Sequence, residues 1–153
     1  MSDVRAKLSE LGLELPTAAK PVAAYVPAVR TGNLVFTAGQ LPMADGAMVA
    51  TGKVGSSVKV EDAKNLAQLC AINALAAVQT VVDVDKIVRV VRVVGYVNGA
   101  PGFNSHPAVV NGASELFLNI WGETGKHARS AIGVAELPFD APVEVELTVE
   151  VRD

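Results

Sequence analysis

One arginine, Arg129, sits inside the largely apolar stretch His127-Ala128-Arg129-Ser130-Ala131-Ile132-Gly133-Val134-Ala135-Glu136-Leu137-Pro138. A few residues past Pro138, Glu144, Glu146 and Glu150 alternate with valine and leucine through Val151. A guanidinium in apolar surroundings needs an anion, because an unpaired buried charge is costly. The plain expectation is an ion pair with Glu144 or Glu146. The sharper one is that the anion is a ligand's carboxylate, since planar two-point recognition of carboxylates is the particular strength of arginine. Alternating glutamates on a strand usually form a solvated face. A carboxylate within hydrogen-bond reach of a water can also orient and deprotonate it, and Glu144 is the candidate for that task, with Glu146 structural.

The chain has two histidines, His106 and His127. An RNA-cleaving site would want such a pair working together near neutral pH. His127, two residues before Arg129, is the better placed to touch a ligand, at the mouth of a cleft. Two histidines without clustered carboxylates make a poor metal-ligand set, so no metal site is expected. Cys70, the single cysteine, lies in an apolar helical context and reads as a small buried hydrophobe.

These groups need a scaffold, and periodicity supplies one. Asp3 to Leu11 reads as a short amphipathic helix capped by Ser2 or Asp3. Pro16 to Pro21 is a linker. Tyr25 to Arg30 and Leu34 to Ala38 flank Thr31-Gly32-Asn33 as a hairpin. A loop or second hairpin comes next at Asp45-Gly46, with Ala47 to Thr51 a weak strand. Glu61 to Val82 carries an apolar helical stripe from Ala63 through Cys70 to Val81. Ile87 to Asn98 is nearly continuous in β-branched residues, as in a strand covered on both faces. Strict alternation would put Arg89 and Arg92 on opposite faces. A second long helix starts near Pro107 and buries Val109, Val110, Ala113, Leu116, Phe117, Ile120 and Trp121. Strands Ala128 to Ala135 and Val143 to Val151 close the chain. This order predicts an α+β sandwich: a mixed β-sheet with two main helices on one face, plus a short N-terminal helix. Residues 1–17 form the N-terminal helix and linker, and 18–153 a single domain. The sheet's other face is expected to be bare and valine-rich, covered by sister subunits.

Composition narrows the function classes. Half of the 153 residues are hydrophobic, and the mean hydropathy of +0.35 points to apolar surface buried between subunits. No run is long enough to span a membrane. A net charge of −3 with 13 dispersed Lys and Arg gives no basic stripe for nucleic acid. A lone cysteine and an N-terminus unlike a signal peptide point to the cytoplasm.

Several blocks match a known family in order and spacing. They are Tyr25-Val26-Pro27-Ala28-Val29, the run from Gly32-Asn33-Leu34 to Gly39-Gln40-Leu41-Pro42, Val110-Asn111, Ala128-Arg129-Ser130-Ala131, Leu137-Pro138 and Val143-Glu144-Val145-Glu146. Over roughly Ala18 to Asp153 the sequence resembles the RidA/YjgF family, also called the endoribonuclease L-PSP or translation initiation inhibitor family. The resemblance implies a chorismate-mutase-like fold, a homotrimer, and small carboxylate-bearing metabolites bound in clefts between subunits. It implies an enzyme without cofactor, an enamine/imine deaminase that hydrolyses 2-imino acids to 2-oxo acids and ammonia. By the same resemblance Arg129 binds the carboxylate, Glu144 activates water, and Tyr25, Asn111 and the backbone at Ala38, Gly39 and Ala131 line the site. The family often has serine at the position of Ala38 and cysteine at that of Ala131, which marks a distinct branch. Two alternatives stand beside this expectation: a small-carboxylate or 2-oxo acid binding protein without turnover, and an endoribonuclease or translation inhibitor.

Overall fold

The computed structural model describes residues 3–21 and 23–153. The first helix, α1 (Val4–Glu10), is capped by Asp3, whose side chain accepts from the Ala6 N–H at 2.9 Å. The alternative cap, Ser2, lies outside the described residues. Val4 and Leu8 are fully buried in the same core as the long helices.

Strands β1 (Ala28–Thr31) and β2 (Leu34–Thr37) form a hairpin closed by Gly32-Asn33, Gly32 adopting φ +57°. β1 starts later than the β-forming residues suggested. Pro27 has no N–H to give to a ladder, so Tyr25 and Val26 stay outside the strand. A second, two-residue-turn hairpin joins β3 (Met43–Ala44) to β4 (Ala47–Met48), with Asp45 and Gly46 both at positive φ, as type I′ turns require.

Helix α2 (Val60–Gln79) buries Ala63, Leu66, Ala67, Cys70, Ala74, Ala77 and Val78. It stops three residues short of Val82: the Thr80 hydroxyl donates to the Ala77 carbonyl at 2.7 Å and the chain tightens into a turn. Val81, the expected end of the apolar stripe, is therefore exposed. Strand β5 (Ile87–Asn98), helix α3 (His106–Trp121), and strands β6 (Ala128–Val134) and β7 (Val143–Val151) complete the order.

The five-stranded sheet runs β1-β2-β7-β5-β6, antiparallel except for the parallel β5–β6 pair. Both long helices pack on one face, where α2 meets β7 and α3 meets β5 and β6. The two-face pattern of β7 is as its sequence reads: Val143, Val145, Leu147, Val149 and Val151 are buried beneath the helices, and the glutamates face away. The outer face is consequently not valine-rich. It carries Glu144, Glu146, Thr148 and Glu150 with Arg89, Arg92, Val29, Phe36 and Ile132 around them. β5 is likewise not covered on both sides, for Val88, Arg89 and Arg92 are exposed.

Arg89 and Arg92 correct the simple alternation. Register shifts at Ile87/Arg89 and Val90/Arg92 bring Arg89 opposite Glu150 and Arg92 opposite Thr148, both outward residues. A bulge adds one residue to a strand and flips the facing of every residue after it. The two arginines thus share the outer face.

Candidate functional site

Arg129 points from the edge strand β6 to the helix face. Its strand partner is Val93, which in turn opposes Leu147, both buried under the helices. Its Nη1 donates to Asn111 Oδ1 at 2.7 Å and to Ser114 Oγ at 3.2 Å, both on α3. Asn111 and Ser114 are three apart, hence neighbours on one helix face. Neither partner is charged, and among the described residues no carboxylate lies within ion-pair distance of Arg129. The expected structural pair with Glu144 or Glu146 is absent within the chain. Both Nη1 protons are engaged, and among the described residues the Nε and Nη2 edge has no hydrogen-bond partner. That edge presents parallel N–H groups at the spacing of carboxylate oxygens. Ala131, two residues on, lies on the same face and packs against the core.

Glu144 belongs to a different neighbourhood. It lies on the outer face beside Tyr96, in a cleft of about 290 Å³ walled by Tyr25, Pro27, Gly39, Leu41, Met43 and Phe139. Among the described residues nothing donates to its carboxylate. Burial, and then the charge of Glu146, raises its pKa from the usual carboxylate value. Glu146 is held differently: it accepts the Tyr96 hydroxyl at 2.7 Å, and that bond, with burial, pushes the tyrosine up to about 12. Gly39 is where the cleft needs a bare backbone, since a Cβ there would lie 2.6 Å from Glu144 Oε2. Ala38 anchors the same segment, donating its N–H to the Pro27 carbonyl and accepting from the Gln40 amide. Tyr25 stands exposed at the rim.

The chain therefore brings Tyr25, Ala38, Gly39 and Glu144 together on one side of the sheet, and Arg129, Asn111 and Ala131 on the other. Glu144 lies opposite Tyr96, which lies opposite Ile132, three residues along β6 from Arg129. Strand spacing and rise put the two backbones roughly 14 Å apart, with side chains directed to opposite faces. Within one chain they cannot act on the same small molecule.

His127, expected at the mouth of a cleft, is half-buried and has both ring nitrogens engaged within the chain. Its Nδ1 is 2.6 Å from the Gly125 carbonyl and its Nε2 2.8 Å from Ser114 Oγ, with the ring edge-on to Phe117. Burial, opposed by the Gly125 bond, and the Arg129 charge lower its pKa from 6.5. Both nitrogens are thus committed inside the chain. His106 packs instead against Phe103 and over Gly133. Cys70 is fully buried, its thiol directed at the Val143 carbonyl and its pKa pushed well up by burial. Among the described residues no three metal-ligating side chains cluster, and no helix is long and apolar enough to cross a membrane.

Residues absent from the motif reading also shape the site. Asn73 of α2 donates to the Leu41 and Met43 carbonyls, both at 3.0 Å, fixing the cleft wall. Lys20 and Phe139 line the cleft from segments without regular periodicity. Phe139 and Asp140 both adopt positive φ, which no sequence pattern announces. Ser114 was legible as a polar residue one turn from Asn111 on an otherwise apolar face.

The model of a family described as YjgF/chorismate mutase-like, putative endoribonuclease, matches residues 5–151. The chain is 41% identical to the protein TCP17 of Trypanosoma cruzi, over 98% of this chain and 95% of that one. It is 30% identical to a 2-iminobutanoate/2-iminopropanoate deaminase of Dermatophagoides farinae, over 92% of this chain and 95% of that one. The crystal structure of a protein of unknown function from Agrobacterium tumefaciens superposes with a TM-score of 0.89 at 44% identity, covering 98% of this chain and 93% of the other.

Proposed function

The chain belongs to the YjgF/chorismate mutase-like family, and from that premise we propose that it deaminates reactive 2-imino acids to 2-oxo acids and ammonia. The observation that carries this reading is the state of Arg129: two donors tied to neutral partners, and a two-nitrogen edge with no anion among the described residues. A small carboxylate is the complementary ligand. Since Glu144 faces the opposite side of the sheet, the site is completed by a second copy of the chain, Arg129 of one subunit opposing Glu144 of its neighbour. A closed ring of three such seams, a homotrimer, would use every site.

In this mechanism Arg129 holds the substrate carboxylate and the backbone near Ala131 and Gly39 borders the nitrogen end. Glu144, made more basic by burial, takes a proton from water as the oxygen bonds to the imine carbon. The C=N π pair moves to nitrogen. Glu144 returns the proton to that nitrogen, giving a carbinolamine; it then takes the hydroxyl proton and passes it to the nitrogen, the C–N bond breaks as the new carbonyl forms, and ammonia leaves. Imines hydrolyse unaided, so positioning and charge placement suffice. The chemistry needs only water, and the single-cysteine chain suits a cytoplasmic setting. RNA cleavage is less well supported: His127 has both nitrogens engaged and His106 packs elsewhere.

The test is the rate of 2-iminobutyrate loss when the imine is generated in situ by an amino acid oxidase. The wild-type chain should accelerate it, and Arg129→Ala should lower kcat/KM by about 10²-fold or more. An Arg129→Ala protein as fast as wild type overturns the reading. Saturable 2-oxobutyrate binding without turnover selects the binding-protein alternative.

A further inference from the structure

Behind Arg129 the proton positions are set by donors and acceptors alone. Arg129 Nη1 can only donate, so Ser114 Oγ accepts from it at 3.2 Å. The Gly125 carbonyl can only accept, so His127 Nδ1 carries a proton toward it at 2.6 Å. In the neutral ring Nε2 is then an acceptor, and the one Ser114 proton goes to it across 2.8 Å. The chain of bonds runs Arg129 to Ser114 to His127 to the Gly125 carbonyl, each link with one assignment. Asn111 takes the other Nη1 donor at 2.7 Å. With both Nη1 protons tied, the guanidinium cannot turn about its Cζ–Nε bond without breaking bonds, so the Nε–Nη2 edge is the one left to a ligand.

We propose that Ser114 and His127 are positioning residues that fix which edge of Arg129 meets the substrate carboxylate, and that they do so only while His127 is neutral. This inference rests on Arg129 being the carboxylate clamp. Ser114 is 9% exposed and lies behind the guanidinium, so it acts through Arg129 rather than on substrate. A protonated His127 would turn Nε2 into a donor aimed at a hydroxyl already accepting from Arg129. The Ser114 O–H would then have to turn away and donate elsewhere, with two cations donating to one oxygen. The groups facing His127 are Arg129 from β6, Ser114 and Phe117 from α3, and the Gly125 carbonyl from the 122–125 turn. Of these only Arg129 is charged, and it opposes protonation, in the direction of the lowered pKa.

The test is calorimetric binding of 2-oxobutyrate to the full-length protein across pH 5 to 8, beside imine kinetics. Ser114→Ala and His127→Phe should each weaken binding about tenfold, the effect of losing one hydrogen bond in a charge-assisted chain, with KM rising and kcat nearly unchanged. His127→Gln, whose amide oxygen can stand where Nε2 accepts, should restore most of the affinity. It should also abolish the loss of affinity that wild type shows as pH falls through the lowered folded-state pKa of His127. If Arg129→Ala loses binding while Ser114→Ala and His127→Phe bind as wild type, the positioning role is wrong and the clamp stands. A His127→Gln protein as weak as His127→Phe also overturns it, as does a wild-type affinity that does not change with pH. If Arg129→Ala itself binds as wild type, the clamp fails and the positioning role with it.

Discussion

The two charged neighbourhoods of this chain are built on opposite principles. Arg129 is held by neutral hydrogen-bonding groups, and among the described residues no carboxylate pairs with it. Glu144 is surrounded by apolar walls and bare backbone, which among the described residues leave it without a hydrogen-bond partner and more basic. On the proposed reading, the first is held ready for a substrate carboxylate and the second is desolvated so as to take a proton. The sheet lies between them, so within one chain they stay on opposite faces.

The largest expected effect falls on the acid half. Glu144→Gln keeps the shape and removes the base, so kcat for imine hydrolysis should fall about 10²-fold or more while 2-oxobutyrate affinity stays within a few-fold. A parallel loss of affinity would show that Glu144 serves binding and would blur the division of labour. Next comes a mixing experiment. Arg129→Ala and Glu144→Gln chains, each inactive alone, should recover about a quarter of wild-type activity when denatured together and refolded at equal ratio, because random assembly pairs an intact Arg129 with an intact Glu144 at that frequency. No recovery would place both residues' roles within one chain, against the geometry.

The smallest effect is a pair of opposed pH slopes in stability. His127 has a lowered folded-state pKa, so the unfolded chain binds the extra proton first. Its contribution is full above 6.5 and is lost as pH falls from there through the folded value. Glu144 has a raised folded-state pKa, so the folded chain binds the proton first, and acidification through that value relieves the cost of burying its charge. Thermal denaturation of wild type against His127→Gln, and of wild type against Glu144→Gln, should give difference slopes of opposite sign. Slopes of the same sign would mean that the two sites are not held by different means.

Much of this molecule was readable from residue order. The spacing of Val109, Ala113, Phe117 and Ile120 foretold α3, and the alternation of β7 foretold a buried valine face and an outward glutamate face, because helix and strand periods are local properties of the backbone. The motif blocks likewise marked Arg129, Asn111, Gly39 and Glu144 as noteworthy. Where local rules failed, a nonlocal cause intervened. Pairing with β7 forced the bulges that put Arg89 and Arg92 on one face. Docking on Ser114 and Phe117 drew His127 away from the role expected of an accessible histidine.

The sequence by itself determined the elements, the apolar faces that pack them, and the residue types able to bind a carboxylate or move a proton, since these depend on side-chain chemistry and short-range spacing. Only the tertiary structure decided which side of the sheet each group occupies, which edge of Arg129 stays open, and that Glu144 lies beyond its reach. Those facts rest on strand order, register and side-chain hydrogen bonds between segments far apart in the chain, and such long-range contacts leave no local pattern to read.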